Sequence, residues 1–406
     1  MDTYKQSLTL SSQLYFCSSP IRLDTYNRCQ FGCAYCFSRN RQSDITDRSI
    51  AKASHAAIEK RLVRINKGEI QSALDEFLAR RVPIQLGGLF DPFSPIEATE
   101  KESLRVMQCL RDFQYPTLIS TKGNIFTNKE YIDVLKEMNV FIRISAAGIA
   151  EKYRSGIDIG CDSFKDILRK IKYLSEIGLP VALRIQPIIP GFESDALAMT
   201  EQAAIAGVSQ VSYEHLKISA ESRDQELRQI YESTGINIWD KMSEIGLTSI
   251  GRDYTLVKSA KWNFLRSAKK LCVDLGIKFG AGDTEFIHLS DGSGCCNSSE
   301  FFLKDANQFK TNFVGVISKK QSAYDVRFDD LKKEWVPQHN VHRYLTTNSR
   351  VRDTNREYPS LLSLMSYRWN GGKGPYSPAF FYGVSWNGEY DNEGYKIYHF
   401  ENPFQY

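Results

Sequence analysis

Asn27-Arg28-Cys29-Gln30-Phe31-Gly32-Cys33-Ala34-Tyr35-Cys36-Phe37 sets three cysteines on one short stretch with the spacing C-x3-C-x2-C and an aromatic residue directly after the last. Zinc in a structural site is held by four protein ligands, often as two separated C-x-x-C pairs. Three close thiolates instead suit an iron–sulfur cube with one iron left open to a ligand. A zinc ion that borrows a remote fourth cysteine is the competing reading of the same triplet.

Outward from this loop, β-branched runs at 21–26, 83–86, 117–120, 140–145, 181–185 and 208–213 alternate with helical stretches. That alternation is the pattern of βαβ units around a parallel sheet. Phe164, Ile167, Leu168, Ile171 and Leu174 recur at steps of three and four and predict a helix with one buried stripe. Asp162 is its expected cap, and Gly178 with Pro180 its stop. A helical insertion is expected over about 38–82, with helices at 50–65 and 70–80. Arg39, Arg41, Lys60, Arg61, Arg64 and Lys67 make it basic. Such a run usually forms a solvated face; covering the cysteine loop or meeting an anionic substrate are the other roles open to it.

The cysteine spacing with its trailing aromatic resembles the signature of the radical S-adenosylmethionine (SAM) superfamily. The resemblance implies that Cys29, Cys33 and Cys36 hold a [4Fe–4S] cluster whose fourth iron takes the methionyl amine and carboxylate of SAM. One electron, from a donor such as flavodoxin or ferredoxin, would then split SAM to a 5′-deoxyadenosyl radical that abstracts hydrogen from a substrate. The implied fold is α/β, a partial (βα)6 TIM-like barrel, here with a C-terminal extension and an aromatic-rich tail. Sites in such barrels collect at the C-terminal ends of the strands.

Further residues carry the resemblance. Gly87-Gly88 matches the first part of a Gly-Gly-Glu-like motif that meets the methionyl amine, but Leu89 and Phe90 follow and Asp91 is the nearest acid. A plain strand-ending turn would read the same way. Lys122 and Ser145 resemble the SAM-contacting lysine and serine of spore photoproduct lyase-like enzymes, and Arg184 points to the same mouth if the fifth strand keeps its register. Gly88-Leu89-Phe90-Asp91-Pro92-Phe93-Ser94-Pro95-Ile96-Glu97 and Ile188-Ile189-Pro190-Gly191-Phe192 resemble the same subgroup, also described as DNA repair photolyase-like. This implies a nucleic-acid substrate, for lesion repair or base modification. The alternatives are a radical SAM peptide-modifying enzyme with an auxiliary metal site, and a nucleic-acid-binding protein with a structural cluster or zinc.

A second candidate site is Cys295-Cys296, set in the run Ser290-Asp291-Gly292-Ser293-Gly294-Cys295-Cys296-Asn297. Gly, Ser and Asp predict a flexible, exposed loop there, unlike the apolar settings of Cys109 and Cys272. The pair could donate hydrogen to a substrate radical as the catalytic cysteines, bind a second metal with His288 or Asp283, or do neither. Cys161 is a further candidate at the barrel mouth, and Cys17 has no clear reading.

From 301 onward aromatics crowd the chain, among them Tyr367, Trp369, Tyr376, Phe380, Phe381, Tyr382, Trp386, Tyr390, Tyr395, Tyr398, Phe400, Phe404 and Tyr406. They suggest either a base-stacking surface with Arg343, Arg350, Arg352, Arg356 and Arg368 on phosphates, or a small β-rich cap with its own core. The second reading is the stronger, and a pI near 8.4 falls short of the strongly basic footprint of nucleic-acid binders, while a net charge of +4 permits an acidic ligand without demanding one. The expected division is 1–225 for the barrel, 226–300 for a barrel-closing extension and 301–406 for the tail. No apolar run approaches the ~20 residues that span a bilayer, and the Met1-Asp2-Thr3-Tyr4-Lys5 start lacks a signal-peptide core. With nine irregularly spaced cysteines, the expectation is a reducing, cytoplasmic setting without membrane contact.

Overall fold

Seven strands follow one another along residues 8–215: β1 (Leu8–Leu10), β2 (Ile21–Leu23), β3 (Ile84–Leu86), β4 (Thr117–Thr121), β5 (Val140–Gly148), β6 (Val181–Ile188) and β7 (Gln210–His215). A small antiparallel sheet is built from β8 (Ile218–Ser219), β9 (Leu247–Ile250) and β10 (Asp253–Leu256), after which β11 (Lys278–Ala281) returns to the main sheet. A third sheet, β12 (Ala323–Val326), β13 (Val384–Tyr390) and β14 (Lys396–Glu401), lies in the tail. The computed structural model describes residues 1–36, 38, 49–296, 298–318, 323–345, 358–371 and 377–404. Phe37, Arg39, Arg41, Asn297, Arg350, Arg352, Arg356, Tyr376 and Tyr406 lie outside the described residues.

The main sheet runs β1-β2-β3-β4-β5-β6-β7-β11. Each neighbouring pair is parallel except β1 with β2. Its two edges are β1 and β11, so the sheet curves as a partial barrel and does not close. The six expected strands are β2 to β7, and β11 adds a further parallel strand beside β7. Strand β2 stops at Leu23 because the next residue, Asp24, turns its carboxylate to the backbone N–H groups of Leu89 (2.8 Å) and Phe90 (3.2 Å).

Alternation within the strands divides the sheet into two faces. Ile119, Ile142, Ile144, Leu183, Ile185, Val211 and Tyr213 join one hydrophobic core with helix residues such as Ile167, Ile171 and Leu174. The opposite face is polar where the strands approach their C-terminal ends: Ser120, Arg143, Ser145, Arg184, Gln186 and Glu214 face a common cavity. At the N-terminal ends the same face turns apolar. There Leu118, Phe141 and Ala182 pack with Cys296 and Leu303, and Phe302 stacks on Phe141 at 4.3 Å between centroids. The segment after β11 therefore plugs the bottom of the barrel and leaves the top open.

The stripe around Ile167 lies on the helix Phe164–Glu176, whose N-cap is Ser163 rather than Asp162. Asp162 is ion-paired with Lys170 at 2.6 Å, which removes it from capping. In the insertion, helices span His55–Asn66 and Ala73–Ala79. Arg61 and Arg64 do not form a plain solvated face there, since both pair with the buried Asp75, at 3.2 and 2.8 Å. In the tail, Trp369, Phe381, Tyr398 and Phe400 are buried and belong to the main core. Trp369 donates to the Lys396 carbonyl at 2.8 Å, and Phe328 stacks on Tyr395 at 4.1 Å. Tyr367, Trp386 and Tyr390 are exposed, while the Arg368 guanidinium lies 5.4 Å from the Tyr15 ring. The tail aromatics are thus chiefly core. No helix among the described residues is long and apolar enough to cross a membrane.

Glu97, at the end of the Gly88–Glu97 stretch, is a fold anchor. Its buried carboxylate accepts from the Tyr131 hydroxyl at 2.7 Å, from the N–H groups of Ser103 (2.9 Å) and Leu104 (3.0 Å), and from the Tyr26 hydroxyl. Glu97→Ala leaves these donors buried without a partner and is expected to cost about 3 kcal/mol. Urea unfolding followed by circular dichroism measures the loss as a lower midpoint at unchanged slope.

Candidate active site

Backbone hydrogen bonds fix the cysteine loop against the segment that follows β5. Gly32 N–H donates to the Ile159 carbonyl at 3.1 Å and Ala34 N–H to the Ile157 carbonyl at 2.9 Å. Cys29, Cys33 and Cys36 all border one cavity of about 280 Å³ that enters the polar face of the sheet. Burial and the Asp91 carboxylate push the Cys29 thiol up to about 12. A hydrogen bond with Cys161 pulls the Cys33 thiol below its ordinary value and raises that of Cys161. Among the described residues no three Cys, His, Asp or Glu side chains are gathered at metal-binding distances. The three motif thiols stand around the cavity rather than on one point, and a sulfur-only donor set on one loop fits an iron–sulfur cluster better than a hard cation.

The five positions expected to hold SAM border the same cavity: Gly87, Gly88, Lys122, Ser145 and Arg184. The glycines are required by protein neighbours. Gly87 has φ +84°, and a Cβ there would come within 2.4 Å of the Ser120 carbonyl oxygen; at Gly88 it would come within 2.3 Å of Arg22 Cγ. Asp91, the nearest acid, is turned inward. It accepts from Thr121 Oγ1 at 2.7 Å and from the Phe93 and Lys122 N–H groups at 2.9 and 2.5 Å.

Lys122 Nζ lies 2.9 Å from Asp158 Oδ1 and 5.3 Å from the Tyr35 ring centre. Asp158 also accepts from Ala147 N–H at 2.8 Å, from Arg154 at 3.2 Å and from the Tyr35 hydroxyl. Although burial opposes it, Lys122 and these donors hold the Asp158 carboxyl below its ordinary value. Arg184 is paired with Glu214 at 2.6 Å, and Lys217 also contacts Glu214.

Cys295 and Cys296 line the far end of this cavity and are not on an exposed loop. Cys296 is buried in the plug, and Gln210 Nε2 donates to the Cys295 carbonyl at 2.7 Å. Backbone packing against β7 and β11, which local composition does not reveal, overrides the Gly/Ser signal. Cys17 joins them: it borders the cavity, and burial together with Cys295 and Cys296 pushes its thiol up to about 12. The second-metal grouping is not assembled. His288 bonds the Tyr382 carbonyl at 2.8 Å, and Asp283 is held by His215 at 2.6 Å and Lys261 at 3.3 Å.

Residues 23–203 match the Radical SAM superfamily. This segment, somewhat less than half of the chain, is similar to radical SAM domains. The likeness indicates an enzyme, and that superfamily implies SAM and an iron–sulfur cluster as cofactors. The fold of the chain is similar to solved spore photoproduct lyase structures. A cysteine-to-serine mutant of that lyase and its complex with dinucleoside spore photoproduct each share 14% identity over 67% of this chain and 78% of the other, with TM-score 0.50. A tyrosine-to-phenylalanine mutant of the lyase shares 15% over the same spans, also at 0.50. No curated protein matches the chain.

Sequence reasoning missed Asp158, Glu214, Cys17 and Arg143. The alternation in Val140-Phe141-Ile142-Arg143-Ile144-Ser145 was the signal for Arg143, which shares a face with Ser145; nothing local marks Asp158. Because the folded-state pKa of Asp158 is lowered, its ionised form adds stability above the ordinary value of 3.8, and that stability is lost as pH falls through the lower folded value. Asp158→Asn is expected to be about 3 kcal/mol less stable at pH 7, with the gap to wild type narrowing below about pH 4. Urea midpoints from pH 7 to 3 check both the size and the direction.

Proposed function

We propose that Cys29, Cys33 and Cys36 hold a [4Fe–4S] cluster with one iron open to SAM, and that the substrate occupies the cavity beneath it. The observation that carries this reading is the convergence of the motif thiols, the five SAM-positioning residues and Cys295 and Cys296 on a single cavity. When bound, the cluster and SAM supply a 5′-deoxyadenosyl radical able to remove a hydrogen atom from carbon.

The chain's own part is placement and protection. Lys122, held by Asp158 and able to move toward a carboxylate, orients the methionyl group; Ser145 offers a hydroxyl to the ribose, and Gly87 and Gly88 offer backbone. Arg184 completes the cradle from β6. The plug closes the opposite end against water. Cys295, raised by burial and by Cys296, stays a neutral thiol. Neutral S–H is the form that can give a hydrogen atom to a substrate radical, leaving the unpaired electron on sulfur. An electron donor such as flavodoxin or ferredoxin, a cytoplasmic setting and the 1–225, 226–300 and 301–406 division belong to the same proposal. Nucleic acid is its substrate class, supported by the fold likeness to a lyase complexed with dinucleoside spore photoproduct.

One contact favours a second reading: Cys161 hydrogen-bonds Cys33, so a fourth thiol stands beside the motif and zinc on four cysteines is a chemical alternative. Two measurements separate them. Anaerobically reconstituted, reduced wild type is expected to form 5′-deoxyadenosine from SAM, and Cys36→Ala none above background. Cys161→Ala is expected to retain about four irons per chain; loss of metal in that variant, with zinc in the wild type, would carry the alternative.

A further inference from the structure

Arg143 is a buried cation in the lumen that no carboxylate among the described residues neutralises. It sits on β5 between Phe141, which packs on the plug, and Ser145, nearer the mouth, and it borders the cavity while only 3% exposed. Its guanidinium donates to Ser120 Oγ through Nε at 3.2 Å and through a terminal nitrogen at 2.9 Å, and Cys295 lies close enough to act on its charge. Both partners are neutral groups. Among the described residues no Asp or Glu oxygen lies within 4.0 Å of it.

The other cations near this site are matched. Lys122 and Arg154 have Asp158 at 2.9 and 3.2 Å, Lys261 has Glu285 at 2.8 Å, and Arg22 has Asp24 at 2.9 Å. Arg184 and Lys217 already share Glu214. The floor of the lumen therefore carries surplus positive charge. An unpaired ion in a protein interior is strongly unfavourable, and arginine cannot escape that cost by losing its proton. Nor does Cys295 serve as counterion, since burial raises its thiol. Burial and the neighbouring Arg184 charge act on Arg143 in the corresponding sense, opposing its charged form.

We infer that Arg143 is the anion-binding residue of the substrate pocket, and that the substrate turns a phosphate or carboxylate group toward the barrel floor. This rests on the reading of the cavity as a substrate site. A guanidinium presents parallel donors that match either group in a two-point contact. The anion would sit between Ser120, Cys295 and Arg184, which places an adjoining carbon of the substrate above it, toward the cysteine loop.

The test is binding without turnover. Anaerobically reconstituted wild type, Arg143→Met and Arg143→Lys are titrated with inorganic phosphate and, separately, with acetate, at constant ionic strength set by chloride, following the melting temperature. Wild type is expected to show a saturable rise with one of the two anions, which identifies the group. Arg143→Met is expected to bind it about tenfold to a hundredfold more weakly, the worth of a charge-assisted contact, and Arg143→Lys to fall between. Without added anion, Arg143→Met is expected to melt no lower than wild type, because an unpaired charge has been removed. Equal responses in wild type and Arg143→Met, or no response in wild type, overturn the proposal. So does loss of SAM retention by Arg143→Met in equilibrium dialysis, which would assign the guanidinium to SAM. Absence of 5′-deoxyadenosine in the turnover assay would sink the cofactor reading yet leave these titrations intact, so the two failures are distinguishable.

Discussion

The Asp158 carboxylate is the point on which the site's geometry depends. It sits 2% exposed and joins four separate pieces of chain: Tyr35 of the cysteine loop, Lys122 after β4, Ala147 at the end of β5 and Arg154 of the helix Glu151–Ile157. A buried carboxylate with this many donors is stable only when all of them are present, because each removed partner leaves charge or a polar group unsatisfied. The cysteine loop, which is too short to bury a core of its own, thereby takes its position from the sheet. Lys122 depends on the same anion for its place at the cavity wall.

The second constraint is the polarity of the lumen. Parallel barrels are usually filled by branched apolar side chains, but here the inward face carries Ser120, Arg143, Ser145, Arg184, Gln186 and Glu214. A polar lumen cannot hold the sheet together from inside. The fold shifts that burden outward, where the helices pack on the isoleucines and leucines of the other face, and downward, where Cys296, Phe302 and Leu303 close the bottom. The C-terminal tail extends the outer core: Tyr382 stacks on Trp262 at 5.0 Å, and its N–H donates to the Glu285 carbonyl at 2.9 Å. This is why the tail aromatics are mostly occupied with one another and with the barrel's rim.

Six strands and the cysteine loop were legible because both are local patterns: β-branched runs of four to six residues, and three thiols at fixed spacing. Lys122 and Ser145 were placed at the mouth by resemblance, and Arg184 by strand register. What escaped notice is long-range. Asp158 shows nothing in its own neighbourhood, and its importance comes from segments up to 123 residues away. The Cys295 loop misled in the opposite direction, since Gly and Ser report flexibility only when nothing packs on them; here a Cβ at Gly280 would lie 2.3 Å from the Cys295 carbonyl oxygen. Arg143 stands between these cases. Its alternation with Ser145 was readable, but its lack of a carboxylate partner among the described residues could not be known before the sheet was assembled.

One cavity thus holds two populations of cysteine whose charge states are set by surroundings. At the rim, the Cys33 thiol is lowered by Cys161, whereas burial beside Asp91 keeps Cys29 up at about 12. Loading of the proposed cluster would draw protons from these thiols, so it would compete with protonation and weaken as pH falls. At the floor, burial and the neighbouring cysteines raise the thiols of Cys17 and Cys295, which favours their uncharged forms beside Arg143. With those two thiols uncharged and no Asp or Glu oxygen within 4.0 Å among the described residues, the proposed substrate anion is the partner left for the guanidinium. A substrate that supplied it would neutralise the floor at the moment it displaced water from the lumen, strengthening the remaining electrostatic contacts as the local dielectric dropped. Binding of the anion and preparation of a dry cavity for radical chemistry would then be one event.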